Sequence, residues 1–107
     1  MNTLFICSRN QWRSPTAERI FAQGYGLHTR SAGTSHHAKH TISLKDIAWA
    51  EQIFVMENRH KQQIKEKFSK QLMHKKIFVL DIADDYQYMD DELIELLQLA
   101  MQPYLKV

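Results

Sequence analysis

Cys7, Arg13 and the five residues between them carry the plainest capacity for chemistry in this 107-residue chain. The intervening residues are Ser8, Arg9, Asn10, Gln11 and Trp12, and Ser14 and Pro15 follow directly. An apolar run, Leu4-Phe5-Ile6, leads into the stretch, and Thr16-Ala17-Glu18 leaves it as the opening of a helix. A strand, a tight turn and a helix N-terminus together make an anion site, because unpartnered N–H groups and the helix dipole converge there. Arg13 can fork two hydrogen bonds onto an oxyanion. The same donors favour the thiolate form of Cys7, and a thiolate facing a phosphate ester can attack phosphorus to form a thiophosphoryl intermediate. The Ser14 hydroxyl is placed to hydrogen-bond the sulfur and stabilise it as a leaving group. Phosphate contacts are therefore expected from Ser8, Arg9, Asn10, Gln11, Trp12, Arg13 and Ser14.

Composition narrows the alternatives. The length suits one domain, expected to run over 1–107. Apolar residues at 44% and charged residues at 24% are those of an ordinary globular chain rather than a disordered one. No apolar stretch approaches the ~20 residues of a membrane span, and the start lacks signal-peptide character. A lone cysteine permits no internal disulfide and fits a reducing cytoplasm. Lys and Arg gather between Arg59 and Lys76, and acids between Asp81 and Glu95. Gln62, Gln63 and Glu66 interrupt the basic cluster, so it reads as a solvated helix face rather than a nucleic-acid surface. His36, His37 and His40 lie close together without a nearby cysteine or carboxylate, and neither a metal nor another cofactor is expected.

Elements able to position the loop follow from apolar spacing. Strands are expected at 3–7, 27–32, 52–56 and 76–80. Helices are expected from Ser14, which would cap the first of them, to about Gln23, from Ser43 to Trp49, from Asn58 to about Ser69, and from Asp90 onward. Inward faces would be Ala17, Ile20 and Phe21; Leu44, Ile47 and Ala48; Ile64 and Phe68; and Leu93, Leu96, Leu97 and Ala100. The alternation implies an α/β chain: a single three-layer α/β/α domain whose four-stranded parallel sheet has order 2-1-3-4 and helices on both faces. Ligands of such sheets bind beyond the C-terminal strand ends. Cys7 ends the first strand and Asp81 the fourth, so the acidic run Asp81 to Asp85 should share an edge with the sulfur.

Cys7, Asn10, Arg13, Ser14, Pro15, Ala17 and Glu18 resemble, position for position, the signature of the low-molecular-weight protein tyrosine phosphatases, in its short bacterial branch. Ser31-Ala32-Gly33-Thr34 is similar to the family's second strand and turn. Ala83-Asp84-Asp85-Tyr86 resembles its late proline-aspartate-proline-tyrosine stretch. The resemblance implies a phosphatase acting on phosphotyrosine or a related aryl or acyl phosphate, carried by a protein or a small ester. Cys7 would be nucleophile, Arg13 the phosphate clamp, Ser14 the thiolate stabiliser and Asp84 the general acid, with Asp85 and Asp81 as rivals. Asn10 would hold the loop from a left-handed conformation, which asparagine tolerates.

Three residues depart from the family pattern. Arg9 stands where the family has glycine, and would add charge at the rim or point to solvent. Gln11 replaces an apolar residue, and Trp12 the neighbouring cysteine that protects the nucleophile in many members. Tyr86 would wall the substrate pocket or pack internally, with Asp85 beside it at the rim. Two other functions compete: a phosphate-binding or phosphotransfer module without turnover, and an arsenate reductase, which lacks the relay cysteines it would need here.

Overall fold

The computed structural model describes residues 1–105; Lys106 and Val107, part of the expected domain, lie outside the described residues. In chain order the elements are β1 (Asn2–Cys7), α1 (Arg13–Phe21), β2 (His28–Gly33), α2 (Leu44–Trp49), β3 (Gln52–Val55), α3 (Asn58–Phe68), β4 (Lys76–Val79) and α4 (Asp91–Met101), closed by a 3₁₀ turn at Gln102–Tyr104. The strands form one sheet in the order β2-β1-β3-β4, with every neighbouring pair parallel. Both order and direction agree with the expectation from the sequence.

The period-two alternation of strand side chains builds three layers. Leu4, Ile6, Ile53 and Val55 point to one face, where Ile47 of α2 and Ile64 and Phe68 of α3 cover them. Phe5, Cys7, Phe54 and Met56 point to the other, beneath Ala17 and Phe21 of α1 and Leu93, Leu97 and Met101 of α4. A row of rings crosses this second face. Phe21, Phe5, Phe54 and Phe78 stack with centroids 5.8, 5.7 and 5.3 Å apart in succession. Each such pair contributes about 0.5–1.5 kcal/mol beyond its buried area.

Two helices depart locally from the expected faces. In α2, Ile47 is buried, but Leu44 and Ala48 are exposed and Asp46 turns inward. The Asp46 carboxylate accepts the Ser43 main-chain N–H at 2.9 Å and closes a capping box, and a six-residue helix has only one row to bury. In α1, Ser14 lies inside the helix rather than capping it. Trp12 occupies the cap position, and its carbonyl accepts from both the amide and the hydroxyl of Thr16, at 3.1 and 2.6 Å. The helix stops at Phe21, and Gly24 and Gly26 turn the chain at φ 84° and 69°.

Hydrogen bonding of β4 to β3 outlasts the strand. Leu80 N–H donates to the Val55 carbonyl at 2.9 Å and Ile82 N–H to the Met56 carbonyl at 2.8 Å. Asp81, between them, takes φ 57°, a left-handed conformation that aspartate accepts more readily than most residues. The acidic run thus starts at the carboxyl end of β3, next to β1. Because β1 has β2 on one side and β3 on the other, its end is the switch point at which such sheets bind ligands.

Candidate active site

Residues 8–12 form a loop at that switch point, and the carbonyls at its entry are held from outside. Thr34, Ser35 and Lys39 donate main-chain N–H groups to the carbonyls of Cys7, Ser8 and Arg9 at 3.0, 3.0 and 3.1 Å. Among the described residues, the amides of Arg9, Asn10, Gln11 and Trp12 reach no main-chain acceptor. Unspent amides following a left-handed residue make an anion-binding nest. That residue is Asn10, at φ 56°, and its side-chain amide donates to Ser14 Oγ at 3.0 Å and Ser31 Oγ at 2.9 Å. Ser31 in turn donates to the Glu18 carboxylate. Gly33 permits this closeness: a Cβ there would lie 2.5 Å from the Ser8 carbonyl oxygen and 3.1 Å from the Asn10 nitrogen, both backbone atoms. Arg9 has no left-handed φ, so a side chain sits without strain at the family's glycine position. It is exposed and lines the pocket.

Cys7 is buried at the floor of this pocket, its Sγ 3.0 Å from Ser14 Oγ. Arg13 is 1% exposed, a burial that a guanidinium tolerates only with partners. Its Nη1 donates to Glu57 Oε2 and to the Ile82 carbonyl, each at 2.7 Å. Its Nε has no hydrogen-bond partner among the described residues and is the one buried side-chain polar atom of which this is true. Asp84 Oδ1 lies 3.6 Å from that Nε, and Asp84 is half-exposed at the pocket wall. The guanidinium is thus clamped on one side and offers a free donor on the other. A bound oxyanion would satisfy that donor.

The structure gathers Cys7, Ser8, Arg9, Gln11, Trp12, Arg13 and Asp84 around one pocket. The side chains of Asn10 and Ser14 are buried and are not in its lining. Asp85 and Tyr86 do not line this pocket. Tyr86 packs against the α1–α4 side of the core, and burial, then Glu92, Asp85 and Asp90, hold its phenol above the usual range. The exposed aromatic groups near the loop are instead Trp12 and Tyr88, which with Gln11 line an adjoining hollow. His40 sits 2.9 Å from the Asp46 carboxylate, away from this pocket.

Two residues that the sequence reading passed over complete the site. Glu57, following β3, receives Arg13 and Arg59. His60, fully buried in the first turn of α3, accepts the Glu57 N–H on Nδ1 at 3.1 Å and holds Nε2 2.9 Å from Ser8 Oγ. Burial by itself would raise the Glu57 carboxyl, but hydrogen bonds and attraction from Arg13 and Arg59 outweigh it and bring the pKa to about 2. Burial first, then repulsion from Arg13 and Arg59, lowers His60 from 6.5 to about 4, against the pull of Glu57 and Asp84.

Both shifts make acid destabilising, in two windows. The His60 contribution is complete above pH 6.5, because below it the unfolded imidazole binds a proton that the folded one refuses until about pH 4. Glu57 contributes fully above pH 4.5 and loses its contribution as pH falls toward 2. Denaturant titrations should therefore show stability level near neutrality and lower by about 3 kcal/mol at pH 4, a decline that His60→Gln flattens.

A family model described as low molecular weight phosphotyrosine protein phosphatase matches residues 2–82. No curated protein matches the chain at a significant level. Among solved structures, a YwlE mutant from Bacillus subtilis is 25% identical, with TM-score 0.70 over 97% of this chain and 99% of that one. The YwlE arginine phosphatase from Geobacillus stearothermophilus is 26% identical, with TM-score 0.72 over 96% and 92%. The tyrosine phosphatase Wzb from Escherichia coli K30, in complex with phosphate, shares the fold at 22% identity and TM-score 0.75 over 96% and 94%. A family match across most of the chain thus meets a cysteine-floored anion nest at the switch point of a 2-1-3-4 sheet, and the chain belongs to the low molecular weight phosphotyrosine protein phosphatase family, as a hydrolase of the phosphatase class.

Proposed function

We propose that this chain hydrolyses phosphotyrosine, or a related aryl or acyl phosphate monoester, through a phosphocysteine intermediate. The observation that carries the reading is the free Nε of buried Arg13, held in a pocket floored by the Cys7 sulfur. Cys7 attacks phosphorus, the P–O bond to the leaving group breaks, and Asp84 delivers a proton to the departing oxygen. Arg13 and the loop amides hold the charge on the transferring phosphoryl oxygens. Asp84 then takes a proton from water as the water attacks phosphorus, and the P–S bond breaks toward Ser14 Oγ, which stabilises the released thiolate. A related YwlE arginine phosphatase supports the covalent step: its C7S variant carries a phosphorylated active-site serine. Each proton and phosphoryl transfer is carried by side chains of this chain and water.

The partner is a phosphorylated protein or a small phosphate ester, and the place of action is the cytoplasm, where a lone thiol stays reduced. The chain acts as one domain. Phosphoarginine is a second reading, supported by the 25–26% identity to YwlE structures and by a polar Gln11 in place of an apolar rim residue. Initial rates on p-nitrophenyl phosphate, phosphotyrosine, phosphoarginine and acetyl phosphate separate these possibilities. The expected outcome is turnover of the aryl phosphates. Exclusive hydrolysis of phosphoarginine supports the second reading, and tight binding of inorganic phosphate without turnover of any ester returns the chain to a binding module.

A further inference from the structure

The junction of β3 with α3 touches the anion loop at two points through one capping arrangement. Glu57 holds Arg13 through its carboxylate, and three residues later His60 holds Ser8 through its imidazole. The hydrogen bonds of the ring fix its tautomer. Nδ1 accepts the Glu57 amide hydrogen, so in a neutral imidazole the one N–H must be on Nε2. Nε2–H therefore donates to Ser8 Oγ at 2.9 Å, and the serine oxygen is the acceptor. The serine hydroxyl hydrogen is left to donate elsewhere, and no other partner of Ser8 Oγ occurs among the described residues. Ser8 lines the pocket beside Cys7 and Arg13.

We propose that the Ser8 hydroxyl is a direct donor to the bound phosphate, and that His60 is the positioning residue that aims it there. This rests on the phosphatase reading for its ligand, although anion binding tests it without turnover. A serine free to rotate could turn its hydrogen toward the imidazole or the protein wall. With Nε2–H donating to the oxygen, the orientation toward the imidazole is unavailable, and the hydroxyl hydrogen is left for the anion. His60 is suited to this because burial and the nearby charges of Arg13 and Arg59 disfavour its protonation more than Glu57 and Asp84 favour it, so the ring stays neutral. Two phosphate donors, one charged and one neutral, are thus set by the same four-residue stretch.

The test measures the affinity of inorganic phosphate by calorimetry, and its competitive inhibition of p-nitrophenyl phosphate turnover. Ser8→Ala should weaken phosphate about tenfold, the usual worth of one hydrogen bond to a charged group. His60→Asn keeps an acceptor for the Glu57 amide but is too short to reach Ser8, and should show the same loss. His60→Gln places an N–H where Nε2 lies and should recover most of the affinity. In Ser8→Ala/His60→Asn the losses should not add, because both changes remove one interaction. Additive losses, or wild-type phosphate affinity in His60→Asn, would overturn the inference. Nitrogen-15 spectra of the wild-type ring give an answer independent of folding in the variants: an Nε2–H tautomer supports it and an Nδ1–H tautomer refutes it. A chain that shows these couplings yet hydrolyses no ester keeps the inference and loses the phosphatase reading.

Discussion

Cys7→Ser is expected to cut turnover of p-nitrophenyl phosphate by at least about 10⁴-fold, the scale on which loss of a nucleophile is felt in enzymes that act covalently. Inorganic phosphate should still bind. The substitution exchanges sulfur for a smaller oxygen at the floor of the pocket and leaves Arg13 Nε, the loop amides and Asn10 in place. A serine hydroxyl at that position is not ionised at neutral pH, and its oxygen would meet the Ser14 hydroxyl as a neutral hydrogen-bond partner. Enzyme rate and anion affinity therefore separate. A variant that retains a tenth or more of wild-type turnover means that attack on phosphorus does not depend on the Cys7 sulfur. Equal loss of binding and rate means that the loop itself has been disturbed.

Asp84→Asn should show a dependence on leaving group that no structural defect reproduces. For esters of weakly acidic alcohols or phenols, the departing oxygen needs a proton in the transition state, and removing the donor should lower kcat/KM, which reports transfer to Cys7 and not the later hydrolysis, by about 10²–10⁴-fold. For a nitrophenolate, which departs as a stable anion, bond cleavage should be little affected. Geometry singles out Asp84 from its neighbours. It lies on the pocket wall 3.6 Å from Arg13 Nε, whereas neither Asp81 nor Asp85 is in the pocket lining. Asp81→Asn and Asp85→Asn should therefore leave the ratio of rates on the two kinds of ester unchanged. A uniform loss on both in Asp84→Asn, with the leaving-group dependence appearing instead in Asp85→Asn, transfers the acid role.

Much of this arrangement is legible before any coordinates, for a specific reason. Leu4-Phe5-Ile6, Ile53-Phe54-Val55 and Ile77-Phe78-Val79 are short apolar runs spaced by helical patterns. That alternation admits few topologies once crossovers are right-handed. The anion loop is local in sequence, so Cys7, Asn10, Arg13 and Ser14 can be grouped by spacing alone. Glu57 and His60 belong to the site through the parallel pairing of β1 with β3, which lays Met56 against Ile6 and carries the next residue to the loop. A signal for His60 does exist in the chain. His60, Ile64 and Phe68 recur every four residues and are all buried, whereas an inward face judged by hydrophobicity takes only the two apolar members. Leu44 shows the opposite error, where hydrophobicity outweighed a capping box that turns Asp46 inward and leaves the leucine exposed.

Buried charge around the pocket has a common logic. Arg13 is sealed from water by the elements that bind it, and Glu57 neutralises it through Nη1. Breaking such a pair leaves one charge uncompensated in the interior, which costs more than the pair itself contributes. The arrangement therefore fixes the orientation of the guanidinium at the expense of acid tolerance, in keeping with the two pH windows derived above.

The covalent step is the central claim, and mass analysis of the Cys7 peptide tests it most directly. Asp84→Asn would be mixed with p-nitrophenyl phosphate and quenched rapidly in alkaline denaturant. In this variant the thiophosphoryl group forms readily, while its hydrolysis lacks a base and is slow. The account predicts the mass of one phosphoryl group on the peptide containing Cys7, appearing with the first equivalent of nitrophenolate. Nitrophenolate released with no phosphoryl group on Cys7 at any time, or with the group on another residue, contradicts it.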